Sequence, residues 1–233
     1  MRLLRCLAAF SLLLLLSWSS SPAAAQIAPS AEEISAYTGL HAAAAGGDVG
    51  EIDRLARQGA DLNARDASGR TPMMVAAFRL DDAAVRALIE AGADPNALEH
   101  QSYDVVTIAA VLNDLDTLKL ALAAGGNARA ITSPYGGTAL IAAAHLGHAE
   151  VCAALIQARA PLDHVNNLGW TALIEAIVLG DGGPRQQATV EVLIKGGASL
   201  ELGDRNGARP LALARQRGYG KIAELLEQAG AKP

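Results

Sequence analysis

The chain has 233 residues and a net charge of −5, and 51% of its residues are hydrophobic while only 3% are aromatic. An acidic chain without a basic run is a poor match to a nucleic-acid-binding protein. Only two cysteines, Cys6 and Cys152, are present, so disulfide bonds do not define the fold.

The N-terminal residues 1–25 differ in character from the rest of the chain. Arg2 and Arg5 precede a ten-residue apolar segment, residues 7–16, and Ala23-Ala24-Ala25 offers small residues for cleavage. This order predicts a bacterial-type secretory signal peptide that is cleaved before Gln26. The apolar segment is shorter than the about 20 residues that span a bilayer. A buried N-terminal helix is the alternative interpretation.

Cleavage leaves a mature chain of residues 26–233, which we expect to be periplasmic or secreted and to have no membrane span. Removing Arg2 and Arg5 from the 19 basic residues leaves 17 against 24 acidic residues, a net charge of −7. Cys6 is lost as well, so Cys152 has no intramolecular disulfide partner. Residues 26–37 are predicted to form an N-terminal capping helix, because Ser30 and Glu33 have the spacing of a capping box.

From residue 38 onward the sequence repeats, with units that start near residues 38, 71, 104, 138, 171 and 209. An alanine recurs five residues after each start, at spacings of 33, 33, 34, 33 and 38 residues. These alanines are Ala43, Ala76, Ala109, Ala143, Ala176 and Ala214. Apolar positions on either side predict two helices in each unit, joined by a short turn. Aspartates at 48, 81, 114 and 181 are predicted to cap the second helices.

The repeated residues resemble the ankyrin repeat family. The likeness rests on Thr71-Pro72 with Ala76-Ala77, on residues 59–63 (Gly-Ala-Asp-Leu-Asn) and on residues 92–96 (Gly-Ala-Asp-Pro-Asn). The family's Thr-Pro-Leu-His tetrapeptide appears nowhere intact. The resemblance implies an all-α solenoid of stacked helix-turn-helix units over residues 38–233, with β-turn finger loops. It implies about five full units and a truncated C-terminal unit.

Ankyrin repeats usually bind proteins through the finger tips and the exposed residues of the first helix, so the resemblance implies a concave surface for a protein or peptide partner. The positions that match are Arg70, Phe78, Arg79, Tyr103, Val111, Leu112, Tyr135, His145, Leu146, Trp170, Val178 and Leu179. Tyr103 and Trp170 are aromatic residues at equivalent finger positions, and such residues are common at interaction hot spots. We therefore predict a non-catalytic interaction module of the cell envelope, monomeric or weakly self-associating.

The sequence offers little sign of catalysis, and no catalytic, cofactor-binding or metal-binding residues are predicted. No phosphate-binding or nucleophile-elbow motif is present. Cys152 stands in an apolar column and is expected to pack as a small hydrophobe. His145 and His148 flank the turn residue Gly147, so they do not share a helix as a metal pair would. A self-associating structural protein and a hydrolase or metal-dependent enzyme are the alternatives. Unit five is longer, and its extra residues, around 180–187, are expected to form a loop.

Overall fold

The computed structural model describes residues 26–232, so the predicted signal peptide lies outside the described residues. This part of the chain is all-helical and contains no strand. Its helices are α1 (Ala31–Ala36), α2 (Gly39–Gly46), α3 (Val49–Arg57), α4 (Pro72–Phe78), α5 (Asp82–Ala91), α6 (Val105–Leu112), α7 (Leu115–Ala123), α8 (Ala139–Leu146), α9 (Ala149–Gln157), α10 (Ala172–Val178), α11 (Pro184–Lys195), α12 (Pro210–Gln216) and α13 (Gly220–Gln228). Between residues 26 and 232, no helix is long and apolar enough to cross a membrane.

The helices after α1 form six pairs that stack into two layers. The first helices of the pairs (α2, α4, α6, α8, α10 and α12) pack side by side as an inner layer. The second helices (α3, α5, α7, α9, α11 and α13) pack side by side as an outer layer. Each pair therefore contacts only its neighbours, as a solenoid requires. The predicted all-α solenoid is confirmed, and the sixth unit contains both of its helices.

The alanine column explains how the inner helices approach one another. Ala76, Ala109, Ala143, Ala176 and Ala214 are completely buried, and Ala43 is nearly so. A methyl group lets a neighbouring helix approach closely and costs no helix propensity. Cys152 is fully buried in the apolar column of the outer helices, as predicted. Side chains of successive pairs join into one continuous apolar core.

The turns between paired helices contain a left-handed residue, which is a glycine in four units. Gly47, Gly147, Gly182 and Gly218 have φ values of 66°, 75°, 71° and 73°. Leu80 and Asn113 adopt the same conformation, with φ values of 56° and 57°. A Cβ in this region clashes with the following carbonyl oxygen, and only asparagine and aspartate tolerate it routinely. Leu80 is therefore a strained residue at an exposed turn.

Capping of the outer helices follows the prediction in three units and departs from it in unit five. The side chains of Asp48, Asp81 and Asp114 accept backbone hydrogen bonds from the third residue of α3, α5 and α7. Asp181 does not cap α11, because Gly183 occupies that position and Asp181 Oδ1 accepts from Gly183 N at 2.8 Å. The aspartate prediction is therefore wrong at this position.

The extra residues of unit five also differ from the prediction of a loop. Only residues 180–183 form a turn, and α11 begins at Pro184. Proline fits the first helical position because its missing N–H has no intrahelical partner there. α11 consequently has 12 residues, against nine in α9. The insertion thus lengthens an outer helix more than it lengthens a loop.

Five fingers connect the helix pairs, and one side chain organises each of them. In the first finger, Asp66 Oδ1 accepts from the backbone N–H groups of Ser68 and Arg70 at 2.9 and 2.8 Å. The backbone N–H of Asp66 in turn donates to the carbonyl of Arg70 at 3.0 Å. The residues with this role are Asp66, Glu99, Ser133, Asn166 and Asp204. A short polar acceptor that bonds to the backbone two residues later is a typical turn device.

Arg70 fastens the N-terminal segment to the first finger. Its guanidinium donates to Asp66 Oδ2 at 2.7 Å, to the carbonyl of Ile27 at 3.1 Å and to Glu33. Tyr37 also donates its hydroxyl to Asp66 Oδ2, at 2.7 Å. Ser30 and Glu33 form the predicted capping box at the start of α1. Arg70 is only 1% exposed, so its predicted place on the partner-binding surface is wrong.

Candidate functional site

The predicted partner-binding residues fall into three groups by exposure. Arg70 and Tyr103 are buried. The half-buried residues are Phe78, Val111, His145, Trp170 and Val178. The exposed residues are Arg79, Leu112, Tyr135, Leu146 and Leu179. The last group offers a partner the largest exposed fraction of its side chains without a rearrangement of the fold.

The two aromatic finger residues have a structural position that the sequence did not reveal. Tyr103 is 7% exposed, and burial raises the pKa of its phenol. Trp170 packs half-buried against the core. Each of them is the last residue of a finger, and its carbonyl accepts a hydrogen bond from the backbone N–H of the finger's first residue. The Trp170 carbonyl accepts from Asn166 N at 3.0 Å. The prediction that Tyr103 is an exposed hot spot is therefore wrong.

Three exposed leucines form the leucine row, defined as Leu112, Leu146 and Leu179. They occupy the same position at the C-terminal ends of α6, α8 and α10, which pack side by side. Their exposed fractions are 37%, 36% and 43%. The equivalent positions of the flanking units hold Arg79 and Arg217, which are also exposed. The inner face therefore carries an apolar strip bounded by a cation at either end.

A second set of exposed apolar side chains lies before the fingers, away from the inner helices. Leu98, Ile131 and Val165 occupy equivalent positions at the start of three fingers and are 40%, 57% and 48% exposed. No feature of the repeat pattern had pointed to them. They provide a matched comparison for the leucine row, because the number of side chains and their exposure are similar.

A depression of about 330 Å³ lies at the end of the leucine row, where unit five carries its insertion. Leu146 and Leu179 line it together with Arg185 and Gln186 of α11. Arg185 Nη2 donates to the carbonyl of Leu146 at 2.6 Å, and Gln186 Nε2 donates to the carbonyl of His145 at 2.8 Å. The extra turn of α11 thus reaches back to unit four and holds the wall of the depression in place.

Close packing in this depression explains why residue 180 is a glycine. A Cβ at Gly180 would lie 2.3 Å from the Ala176 carbonyl oxygen and 2.6 Å from Gln186 Cγ. Gln186 is itself buried, and its Oε1 accepts no hydrogen bond from any described residue. Leaving an amide oxygen buried without a donor costs about 1–3 kcal/mol. Gln186 of α11 therefore retains an unused acceptor beside the depression.

A buried carboxylate lies under the same part of the inner face. Glu175 of α10 is 6% exposed, and its Oε1 accepts from Asn166 Nδ2 at 2.8 Å. The His145 ring lies beside it, with Nδ1 at 3.7 Å from Glu175 Oε2. The equivalent residues of the other units are Ala42, Val75, Ile108, Ala142 and Leu213. A glutamate in an otherwise apolar column is visible in the sequence, although it is absent from the predicted site residues.

The remaining groups with chemical potential are engaged or buried. Burial raises the pKa of the Cys152 thiol to about 12, so the reactive thiolate is suppressed. His148 Nδ1 lies 3.0 Å from the carbonyl of Ala110, and burial lowers the pKa of this histidine. Across residues 26–232, no group of three or more His, Cys, Asp or Glu side chains could hold a metal ion.

Comparison with known proteins gives the same family at the level of sequence and of structure. A family model described as Ankyrin repeats (3 copies) matches residues 10–99 and 106–201. The ankyrin repeat protein YahD of Escherichia coli (strain K12) is 46% identical over 98 residues, which are 42% of this chain and 49% of YahD. The chain thus spans about half the length of this curated relative.

Solved structures match over most of the solenoid. An ankyrin repeat domain (ABAYE2397) from Acinetobacter baumannii AYE is 44% identical with a TM-score of 0.79, over 83% of this chain and 98% of that domain. The ankyrin repeat protein EF0377 is 29% identical with a TM-score of 0.75, over 82% of this chain and 98% of that protein.

Proposed function

Because the chain belongs to the ankyrin repeat family, we propose that it binds a protein partner in the cell envelope, on the concave inner face. Ankyrin repeats are generally protein–protein interaction modules. The leucine row carries the proposal, since three large apolar side chains at equivalent positions of adjacent helices stay exposed to solvent. Contiguous exposed apolar surface of this kind marks interaction sites.

The composition of the inner face suggests how it binds. Burying three leucines that are each about 40% exposed removes apolar area from water and supplies the attraction. Arg79 and Arg217 at the ends of the strip contribute charge that orients the partner rather than most of the affinity. The depression beside Leu146 and Leu179, whose wall Arg185 and Gln186 hold through their bonds to unit four, receives a side chain of the partner.

The proposed compartment rests on the sequence of residues 1–25. A signal peptide cleaved before Gln26 sends the mature chain to the periplasm or out of the cell. The mass of the protein recovered from the producing organism tests this. A periplasmic or secreted chain that starts at Gln26 supports the proposal, and a cytoplasmic chain that retains residue 1 contradicts it.

The proposed role is non-catalytic. The fold is typically non-enzymatic, and the depression beside the leucine row brings together no nucleophile with a general base. The partner is a protein rather than a small molecule, because an open depression buries little of a small ligand's surface. Self-association through the leucine row is the competing interpretation, and a size that depends on concentration in sedimentation velocity favours it.

Affinity capture from the organism's own envelope fraction tests the proposed function. The bait is the mature chain, and the test variant is Leu112→Asn/Leu146→Asn/Leu179→Asn. The matched control is Leu98→Asn/Ile131→Asn/Val165→Asn, which removes as many exposed apolar side chains from the segments that precede the fingers. We expect one protein to be captured by the wild type and the control and to be lost with the test variant. Equal capture by all three proteins contradicts a role of the leucine row.

A further inference from the structure

Three departures from the repeat pattern meet at one place under the inner face. Glu175 replaces a small or apolar residue, His145 stands where most other units have Ala45, Phe78, Val111 or Val178, and Asn166 is the finger acceptor of unit five. The same finger role is filled by Asp66, Glu99, Ser133 and Asp204 in the other units. When departures from separate parts of the sequence contact one another, they indicate a functional site rather than neutral variation of the repeat.

Asn166 matches Glu175 chemically. Its Oδ1 accepts from the backbone N–H groups of Leu168 and Trp170 at 2.9 and 3.1 Å, which is the ordinary finger role. Its Nδ2 then remains to donate to Glu175 Oε1 at 2.8 Å. An aspartate or glutamate, as in three of the other fingers, has no such donor and would repel the carboxylate. The amide at this finger therefore fits the presence of Glu175.

Among residues 26–232, the ion-pair partner of Glu175 is His145, which carries a charge only when it is protonated. No lysine or arginine among residues 26–232 lies within ion-pair distance of its carboxylate. Oε2 accepts no hydrogen bond from the described residues and lies 3.7 Å from His145 Nδ1. Carboxylates this deeply buried are almost always paired. A cation that reaches Oε2 would complete the pairing.

We infer that Glu175, with Asn166 and His145, forms an acidic recess that takes a cationic side chain, arginine or lysine, of the bound partner. The recess is joined to the leucine row through His145 and Leu146, which line the same depression. The preferred partner segment therefore carries a basic residue beside an apolar one. This inference rests on the proposed function, because it specifies what the inner face recognises.

The recess acts on specificity more than on affinity. A partner with an acidic or an apolar residue at the same place would meet a buried negative charge, and that mismatch is costly. A guanidinium is planar, so its N–H groups can donate hydrogen bonds to both free lone pairs of a carboxylate oxygen and make a second contact as well. An ammonium acts as a point charge. The two cations are therefore distinguished by separate arms of the test.

Nuclear magnetic resonance titration of the mature protein tests the recess directly. The probes are Nα-acetyl-arginine amide, Nα-acetyl-lysine amide and the neutral Nα-acetyl-glutamine amide, above the ordinary histidine pKa of about 6.5. The reporter is the side-chain NH₂ signal of Asn166, which donates to Glu175. We expect a saturable shift with at least one cationic probe and none with the neutral probe. A shift with arginine only assigns a guanidinium, and a shift with both assigns cations in general.

Two isosteric variants complete the experiment. Glu175→Gln keeps an acceptor for Asn166 but removes the charge. It is expected to weaken the binding of the cationic probe by at least about tenfold. Glu150→Gln removes an exposed carboxylate on the outer helix α9 and is expected to change nothing. No saturable shift, an equal shift with the neutral probe, or a shift that persists in Glu175→Gln would overturn the inference. If the leucine-row variant loses partner capture but the cationic probes cause no saturable shift, the acidic recess is contradicted while the proposed function stands.

Discussion

Asn166 Nδ2 donates a 2.8 Å hydrogen bond to the buried carboxylate of Glu175, and this contact joins the fourth finger to the inner helix α10. The two residues belong to different structural elements, a turn and a helix. Their pairing places a carboxylate that is 6% exposed beneath the inner face. Leu146 and Leu179 of the leucine row belong to the same units, four and five.

Replacing Leu80 with glycine is expected to stabilise the protein. Leu80 is 59% exposed and holds a left-handed conformation with φ of 56°, so little packing is lost and backbone strain is relieved. The gain expected from removing this strain is about 1 kcal/mol. Asn113→Gly is the matched comparison, because asparagine tolerates φ of 57° and should gain less. Urea unfolding measures the free energy of unfolding of both variants. A destabilised Leu80→Gly variant would contradict the claim that the Leu80 backbone is strained.

Replacing Arg70 with glutamine is expected to destabilise the first unit. Asp66 and Glu33 would lose their cation, and breaking such a buried pair costs about 3 kcal/mol. The N-terminal segment would also lose the bond from Arg70 to the carbonyl of Ile27. Limited proteolysis should then cut near residues 26–37 before the rest of the solenoid. The exposed Arg79→Gln variant is the control. Equal stability of the two variants would contradict a stabilising role of the Arg70 contacts.

Acid should weaken the ion pairs of Arg70 with Asp66 and Glu33. The backbone hydrogen bond from Ser30 and the Arg70 guanidinium lower the pKa of Glu33. Burial raises the pKa of Asp66, but hydrogen bonds from Tyr37 and Arg70 outweigh it, so this pKa also lies below its ordinary value. Folding therefore favours the ionised carboxylates. Their stabilisation is complete above the unfolded pKa values of about 4 and is lost as pH falls through the lower folded values.

Urea unfolding at a series of acidic pH values measures this effect. The free energy of unfolding of the wild type should fall towards that of Arg70→Gln as the two carboxylates become protonated, because the variant has already lost the ion pairs. A difference between wild type and variant that stays constant down to the lowest pH would show that the ion pairs do not stabilise the first unit.

The sequence was sufficient to predict the repeated elements. The alanine column and the apolar columns predict two packed helix layers because each unit must bury the same faces against its neighbours. Asp48, Asp81 and Asp114 could be assigned as caps because capping depends on local backbone geometry. Unit five broke this rule, since Pro184 begins the helix after Asp181 and the cap position moves to Gly183.

Side-chain exposure at the fingers could not be predicted in the same way. Arg70 and Tyr103 precede inner helices at equivalent positions, and a position at a finger suggested exposure. The finger's closing hydrogen bonds turn both residues toward the protein, where Arg70 meets Asp66 of its own finger and Glu33 from a distant part of the sequence. The Glu175 recess was missed because its members lie in α8, a finger and α10, and only the fold brings them together.

Photo-crosslinking in the producing organism tests the central claim, that the inner face binds a protein partner, most directly. A photoreactive phenylalanine analogue replaces Leu146 or Leu179 in the full chain, and the exposed outer-helix residue Glu150 is the control position. We predict an adduct with one other protein from positions 146 and 179 and none from position 150. An adduct of equal yield from position 150, or no adduct with another protein from positions 146 and 179, would contradict a protein-binding inner face.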